Sequence, residues 1–414
     1  MEARFDPFDP GIFDDPYPIY ARLRAHAPLY RGARHLFWTL SRFEDIKAAL
    51  ADHETFSSDA ARGGIGITPG EAGEAPLAAE SHAFPPGNLI LMDPPRHTAF
   101  RKVVTPRFLH KGMSHLEPVV RDVVGGLIDG FCEAGEVDIV PSFASAVPAL
   151  VFADVLGVPR SRGPELQRWA AELTRVPTTV EAGEIHQRAV ASVRALFRDL
   201  LAFKKANPED DLLTDMALAT GPGKTFGEDD FVGMAVSMMI AGNETTANLL
   251  ASALCLLAKH PDQRAELVRG EVSIESAVEE CLRFEPPVHG LARVLTRDIE
   301  LYGQPLHEGE KVLLLYASGN RDERVFDDPE RFDVRREIDF HLSFGFGVHF
   351  CVGSRLGRLE MRTALRTFLE RIPEYAVPLD QIHWSHIFAT RQMESLPIFF
   401  EPSARRGGLT GGSP

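Results

Sequence analysis

The chain has 414 residues, 44% of them apolar, with 44 basic and 59 acidic side chains and a net charge of -15. That length and apolar content suffice to bury a large core, and the acidity argues against nucleic acid or an anionic membrane as a partner. The four cysteines, Cys132, Cys255, Cys281 and Cys351, lie far apart with no CxxC or CxxH pairing. That pattern argues against a disulfide framework or a zinc site and fits reduced thiols in a cytoplasm.

The opening, MEARFDPFDPGIFDDPYP, puts acids and prolines where a signal peptide or anchor needs a basic end and an unbroken apolar run, so no export is expected. Between Ser57 and Met92 lies a long irregular stretch rich in glycine and proline, and a loop of that length is usually functional or disordered.

The longest helical pattern is expected to start at Thr225, where T-x-x-E to Glu228 resembles a capping box, and to run to about Lys259. At ~1.5 Å per residue it is a rod of roughly 50 Å. It is apolar nearly all round, which raises the question of a membrane span. However, AGNETTAN, from Ala241 to Asn248, puts Asn, Glu and two Thr at its centre, which a lipid-facing helix seldom accepts. Gly242 in a helix interior costs about 1 kcal/mol relative to Ala. Such a centre points to something bound there, with a locally satisfied polar patch as the alternative.

A second helix is expected from Ser273 to Phe284, carrying Glu280 and Arg283 at i, i+3 before the stop Pro286-Pro287. Alone, ExxR says almost nothing, because most such pairs are exposed. A strand-like run follows at Val312 to Tyr316. Then comes FGFGVHFCVG, in which Gly345, Gly347 and Gly353 permit close backbone approaches and Cys351 stands where a helix begins. A thiolate there would be stabilised by helix-start amides, although a single buried Cys is usually a small hydrophobe. Residues 403–414 are expected to be a flexible tail behind one large, mainly α domain, residues 1–402, with small β sheets.

Together, AGxETT, ExxR and F-G-x-G-x-H-x-C-x-G, in this order, resemble the soluble bacterial cytochrome P450 family. The resemblance extends from the FDPFDP opening through MDPPRHTAFRKVV and SGNRDERVFDDPERFD to the late SLPI. It implies the single-domain P450 fold, with the long helix over a haem b (iron protoporphyrin IX) whose proximal thiolate ligand is Cys351. Such a ligand pushes electron density toward the iron and favours O–O cleavage. The implied activity is monooxygenation: one atom of O2 enters a C–H bond of a small to medium, largely apolar organic substrate. Electrons would come from NAD(P)H through a reductase and a separate ferredoxin or flavodoxin.

By the same resemblance, Glu244 and Thr245 are the acid and alcohol that relay protons, and Ala241 and Gly242 leave room for dioxygen. His97, Arg101, Arg293 and His349 partner the haem propionates, Phe344 lies with them in the cofactor site, and Glu280 and Arg283 form a buried structural pair. Ser237, Ile240, Ala241, His289, Leu291 and Thr390 are expected around the substrate. The glycine-rich loop and the segment from Val176 to Gly183 are expected to form its lid. Asn243 and Gly357 depart from the family's usual apolar residue and Ala.

A peroxide-driven peroxygenase is disfavoured by the retained acid–alcohol pair. A haem-based sensor would usually carry a second signalling domain, and a non-haem interaction scaffold leaves the cysteine loop unexplained. Arg355, Arg358 and Arg362 form a basic stripe that Arg101, Lys102, Arg107 and Lys111 extend, and an acidic electron donor is expected to dock there, with a solvated face paired with nearby acids as the alternative.

Overall fold

The computed structural model describes residues 4–32, 37–67, 87–109, 113, 115–174, 180–385 and 389–407. Lys111 and parts of both expected lid segments lie outside the described residues. The architecture is mainly α with small sheets, organised around one helix, Glu228–Lys259, of 32 residues.

That helix begins at Gly227, not at Thr225. The Asp230 carboxylate accepts a hydrogen bond from the Gly227 amide at 3.0 Å, and Glu228, Asp229 and Asp230 complement the positive end of the helix dipole. The preceding residues cannot be helical. Phe226 is held in a β-bridge with Thr220, and its fully buried ring packs edge-on against Phe100 at 4.6 Å.

The central helix is packed by Ala146–Leu156, Gly163–Thr174, Val180–Ala206 and Ser354–Arg371. This enclosure explains why it is apolar nearly all round. Among the described residues, no helix is long and apolar enough to cross a membrane.

The helix Ile274–Phe284 is capped by Ser273, whose hydroxyl accepts from the Ser276 amide at 3.1 Å. Its Glu280 and Arg283 are both fully buried and joined by two hydrogen bonds of 2.7 and 2.8 Å. Arg283 also donates to the carbonyls of Asn320 and Pro329 at 2.9 and 3.0 Å, and Glu280 accepts from the Asp333 amide at 2.9 Å. The pair therefore ties the irregular segment 320–336 to the helix.

A five-stranded sheet runs in the order Leu29–Arg31, Phe37–Leu40, Lys311–Leu314, Leu291–Leu295, Phe56–Ser57, with only the second and third strands parallel. The strand expected at Val312 to Tyr316 is shifted by one residue at its start, and Tyr316 already opens a helical turn, Tyr316–Gly319. Residues 403–407 lie along the end of Leu116–Asp129: the Ser403 amide donates to the Cys132 carbonyl at 2.8 Å, and the Arg406 and Gly407 amides donate to Asp129.

Candidate functional site

The cysteine loop is shaped by two left-handed glycines, Gly345 and Gly347, with φ of 67° and 68°. A Cβ on Gly347 would come within 2.5 Å of the Leu50 carbonyl oxygen, so no other residue fits. Gly353 has an ordinary backbone and instead caps the helix Ser354–Arg371. The Cys351 amide donates to the Phe344 carbonyl at 2.8 Å, closing the loop on itself.

Of the four cysteines only Cys351 is exposed, and it opens onto an internal cavity. Confinement by surrounding protein pushes its thiol up, while the amides of Gly353 and Ser354 and the charges of Arg101 and Arg358 pull the other way. Those amides belong to the helix start, a favourable place for a sulfur anion.

The cavity encloses about 1460 Å³ of empty space, including solvent at its mouth. The central helix contributes Ala241, Gly242, Thr245 and Thr246 to its wall. Gly242 is required by close packing: a Cβ there would lie 2.8 Å from the Phe152 ring. The Thr245 hydroxyl donates to the Ala241 carbonyl at 2.7 Å. Glu244 is half-buried on the same turn but is not on the wall.

His97, Arg101, Arg293 and His349 all reach the cavity. The imidazoles of His97 and His349 lie 4.4 Å apart. Burial holds both well below the usual imidazole range, His97 at about 4 and His349 at about 2, with the neighbouring arginines adding to the effect. Both ring nitrogens of His97 and Nε2 of His349 are buried without a hydrogen-bond partner. Orphaned donors beside two guanidiniums are what a pair of carboxylates would satisfy. The residues present therefore fit a haem with its propionates at this end and its metal toward Cys351. Phe344 also lines the cavity, held by the Arg358 guanidinium 4.5 Å above its ring.

Of the residues expected around the substrate, Ser237, Ala241 and Leu291 line the wall. Ile240, His289 and Thr390 do not. Ile240 packs into the core. His289 is drawn away by Tyr20, whose hydroxyl lies 3.3 Å from its Nδ1, and by Glu285 at 3.6 Å. Thr390 instead forms a β-bridge with Val288, which is on the wall.

The basic stripe is largely neutralised. Arg358 makes a two-pronged bond to Glu279 at 2.6 and 2.8 Å, and Arg362 pairs with Glu117 at 3.5 Å. Arg107 is held by Asp210 and Asp215, and Arg101 by the carbonyls of Val348 and Phe350. Arg355 and Lys102 are exposed and carry no ion pair among the described residues.

One residue of the wall escaped the sequence reading. Glu360 is buried and lines the cavity, with one carboxyl oxygen unpartnered. Burial raises its carboxyl to about 8, against the opposing hydrogen bond from Thr246. It is therefore neutral at pH 7 in the fold but ionised in the unfolded chain. Folding takes up a proton between pH ~4.5 and ~8, so this group makes stability fall as pH rises through that window, by up to about 1.4 kcal/mol per unit. Glu360→Gln should gain on the unmodified protein from pH 5 to pH 8 in denaturant melts. Parallel stability curves would contradict the burial of an uncharged acid.

The cytochrome P450 family profile matches residues 66–273 and 274–381. The monooxygenase PikC of Streptomyces venezuelae is 34% identical over 96% of this chain and 94% of its own. The vitamin D(3) 25-hydroxylase of Pseudonocardia autotrophica is 33% identical over 96% of each. The crystal structure of myxobacterial CYP267B1 in complex with myristic acid superimposes with a TM-score of 0.85 at 30% identity, covering 95% of this chain and 98% of that one. Shared sequence at this level over nearly the whole length, with the cysteine loop and the cavity it faces, means that the chain belongs to the cytochrome P450 family of haem-dependent monooxygenases.

Proposed function

We propose that this chain oxidises a C–H bond of a largely apolar substrate seated in the cavity over the central helix, with electrons delivered by a separate iron–sulfur or flavin protein. The observation that carries the reading is the single cavity shared by Cys351, the Ala241–Thr246 turn and the orphaned His97–His349 pair. Members of this family bind haem b. Cys351 would hold its iron, and Arg101, Arg293, His97 and His349 its propionates. Bound there, the group supplies the site for O2 reduction and C–H oxidation, made more reactive by a thiolate ligand.

The protein's own residues would do the rest. Thr245, at the wall, holds a hydroxyl from which protons can reach the reacting oxygen, and Glu244 on the same turn feeds it from the half-buried side. Phe152, Leu291 and Leu249 exclude water from the same space. The relatives support an apolar substrate: one is a vitamin D(3) 25-hydroxylase, and another is in complex with myristic acid.

The test is turnover under isotopically labelled O2 with NAD(P)H, a reductase and a ferredoxin, using substrates chosen by their induced spin shift. One labelled oxygen per product is expected. Equal product from hydrogen peroxide without the electron-transfer proteins would favour a peroxygenase. In the same assay, Arg355→Glu should raise the KM for the ferredoxin several-fold and leave the spin shift intact, because Arg355 keeps its charge free where Arg358 and Arg362 do not. An unchanged KM would move the docking face elsewhere.

A further inference from the structure

One polar group interrupts the apolar wall away from the cysteine. Ser237 lies on the cavity face of the central helix, one turn before Ala241, and Leu89, Ile90 and Met238 line the wall with it. Its hydroxyl is bonded to Oδ1 of Asn88 at 2.7 Å. Asn88 is buried, with 3% of its surface exposed. Its orientation is fixed independently, because the same Oδ1 caps the short helical turn Leu89–Leu91 by accepting from the Ile90 amide at 3.2 Å. Rotating the side-chain amide would set its NH2 against that N–H.

The Asn88 position itself is rigid. The neighbouring Gly87 has φ of 100°, and a Cβ there would come within 2.3 Å of the Asp230 carbonyl oxygen, so this strand of loop lies flat on the central helix. Arg96 adds an ion pair to Asp230 at 2.6 Å. With Oδ1 facing it, Ser237 must donate its proton to Asn88. Toward the cavity it then presents lone pairs only.

We infer that Ser237, aligned by Asn88, is a specificity-determining acceptor that recognises a hydroxyl group on an elongated apolar substrate and sets which part of that substrate is oxidised. The inference rests on the monooxygenase reading above. A carboxylate or ketone at this point would face lone pair with lone pair. An ammonium would enter without a counter-charge, since the only acid on the wall among the described residues is Glu360, beside Thr246.

Helix geometry also sets a length. Ser237 precedes Ala241 by four residues and Thr245 by eight, roughly 6 and 12 Å along the axis at ~1.5 Å per residue. The new oxygen should therefore enter at a position remote from the recognised hydroxyl, not beside it.

The test compares dodecanol, its methyl ether and dodecanoate by spin-shift titration of the haem-loaded protein. The ether keeps an oxygen acceptor but has no proton to give. Dodecanol is expected to bind about three- to tenfold tighter than the ether, the range of one net hydrogen bond, with dodecanoate weakest. Ser237→Ala should erase the preference for the alcohol and leave the affinity for the ether unchanged. Asn88→Ala frees the Ser237 proton, so it should reduce the alcohol-to-ether ratio while Ser237 remains in place.

Product analysis should show a diol with distant oxygens. Ether or dodecanoate binding as tightly as dodecanol, or an alcohol preference that survives both substitutions, would overturn the assignment. A protein that fails to give a thiolate-type carbon monoxide spectrum would instead refute the underlying monooxygenase reading, which separates the two failures.

Discussion

Arg283→Ala is expected to unfold much of the protein and to empty it of pigment. Arg283 and Glu280 are both fully buried, and removing the guanidinium leaves the Glu280 carboxylate with only the Asp333 amide and the edge of Arg336 for company. Breaking a buried pair in this way costs about 3–5 kcal/mol. A domain has ~5–15 kcal/mol of stability in all, so the loss is a large part of the whole. The carbonyls of Asn320 and Pro329 lose the Arg283 donor as well, while that of Arg331 keeps Arg336. The consequence reaches the site, because the Asn320 side chain holds Leu342 and Ser343 at the start of the cysteine loop, at 2.6 and 2.8 Å. Denaturant melts and the ratio of pigment to protein measure both effects. A variant within about 1 kcal/mol of the parent and fully pigmented would show that the pair is dispensable.

Thr245→Ala should leave pigment and substrate binding intact and divert most reducing equivalents into peroxide. The hydroxyl is on the cavity wall, and its proton goes to the Ala241 carbonyl at 2.7 Å, so an oxygen lone pair remains to accept and pass a proton. Positioned proton transfer contributes ~10²–10⁴-fold, and even partial loss should lower coupling of NAD(P)H to product by about tenfold. The helix itself should tolerate the change, since Ala is a better helix former than Thr. Thr245→Ser restores a hydroxyl and should recover most of the coupling. Equal coupling in all three proteins would exclude the relay role.

What could be read from the sequence was mostly local. The cysteine loop is legible because left-handed glycines, a tight approach to Leu50 and a helix start leave their signatures within ten residues. The polar centre of the central helix is legible for a similar reason: Asn, Glu and two Thr interrupt an otherwise apolar rod. The pairing of the basic stripe with acids, one of its two readings, could not be decided locally because its partners are remote in the chain. Arg358 meets Glu279, and Arg362 meets Glu117, only once the helices are packed together. The family resemblance implies His289 at the substrate, yet Tyr20 and Glu285 claim its ring.

The Asn88–Ser237 bond joins residues 149 positions apart, so no pattern could announce it. Glu360 did leave a signal. It stands one turn from Leu356 and one turn from Ala364, two apolar residues that mark a buried face of the helix, and an acid there requires an explanation. The helix starts later than the pattern suggests: Thr225 offers a capping box, but the β-bridge of Phe226 with Thr220 keeps the helix from reaching it.

The central claim is that Cys351 ligates haem in this cavity, and the spectrum of the reduced carbon monoxide complex tests it most directly. The purified protein should be red-brown, with the long-wavelength Soret band that only a thiolate opposite carbon monoxide produces, and Cys351→His should lose that band while keeping the pigment. A Soret band at the shorter wavelength of a histidine-ligated haem in the unmodified protein, or an unaltered long-wavelength band in Cys351→His, would contradict the assignment.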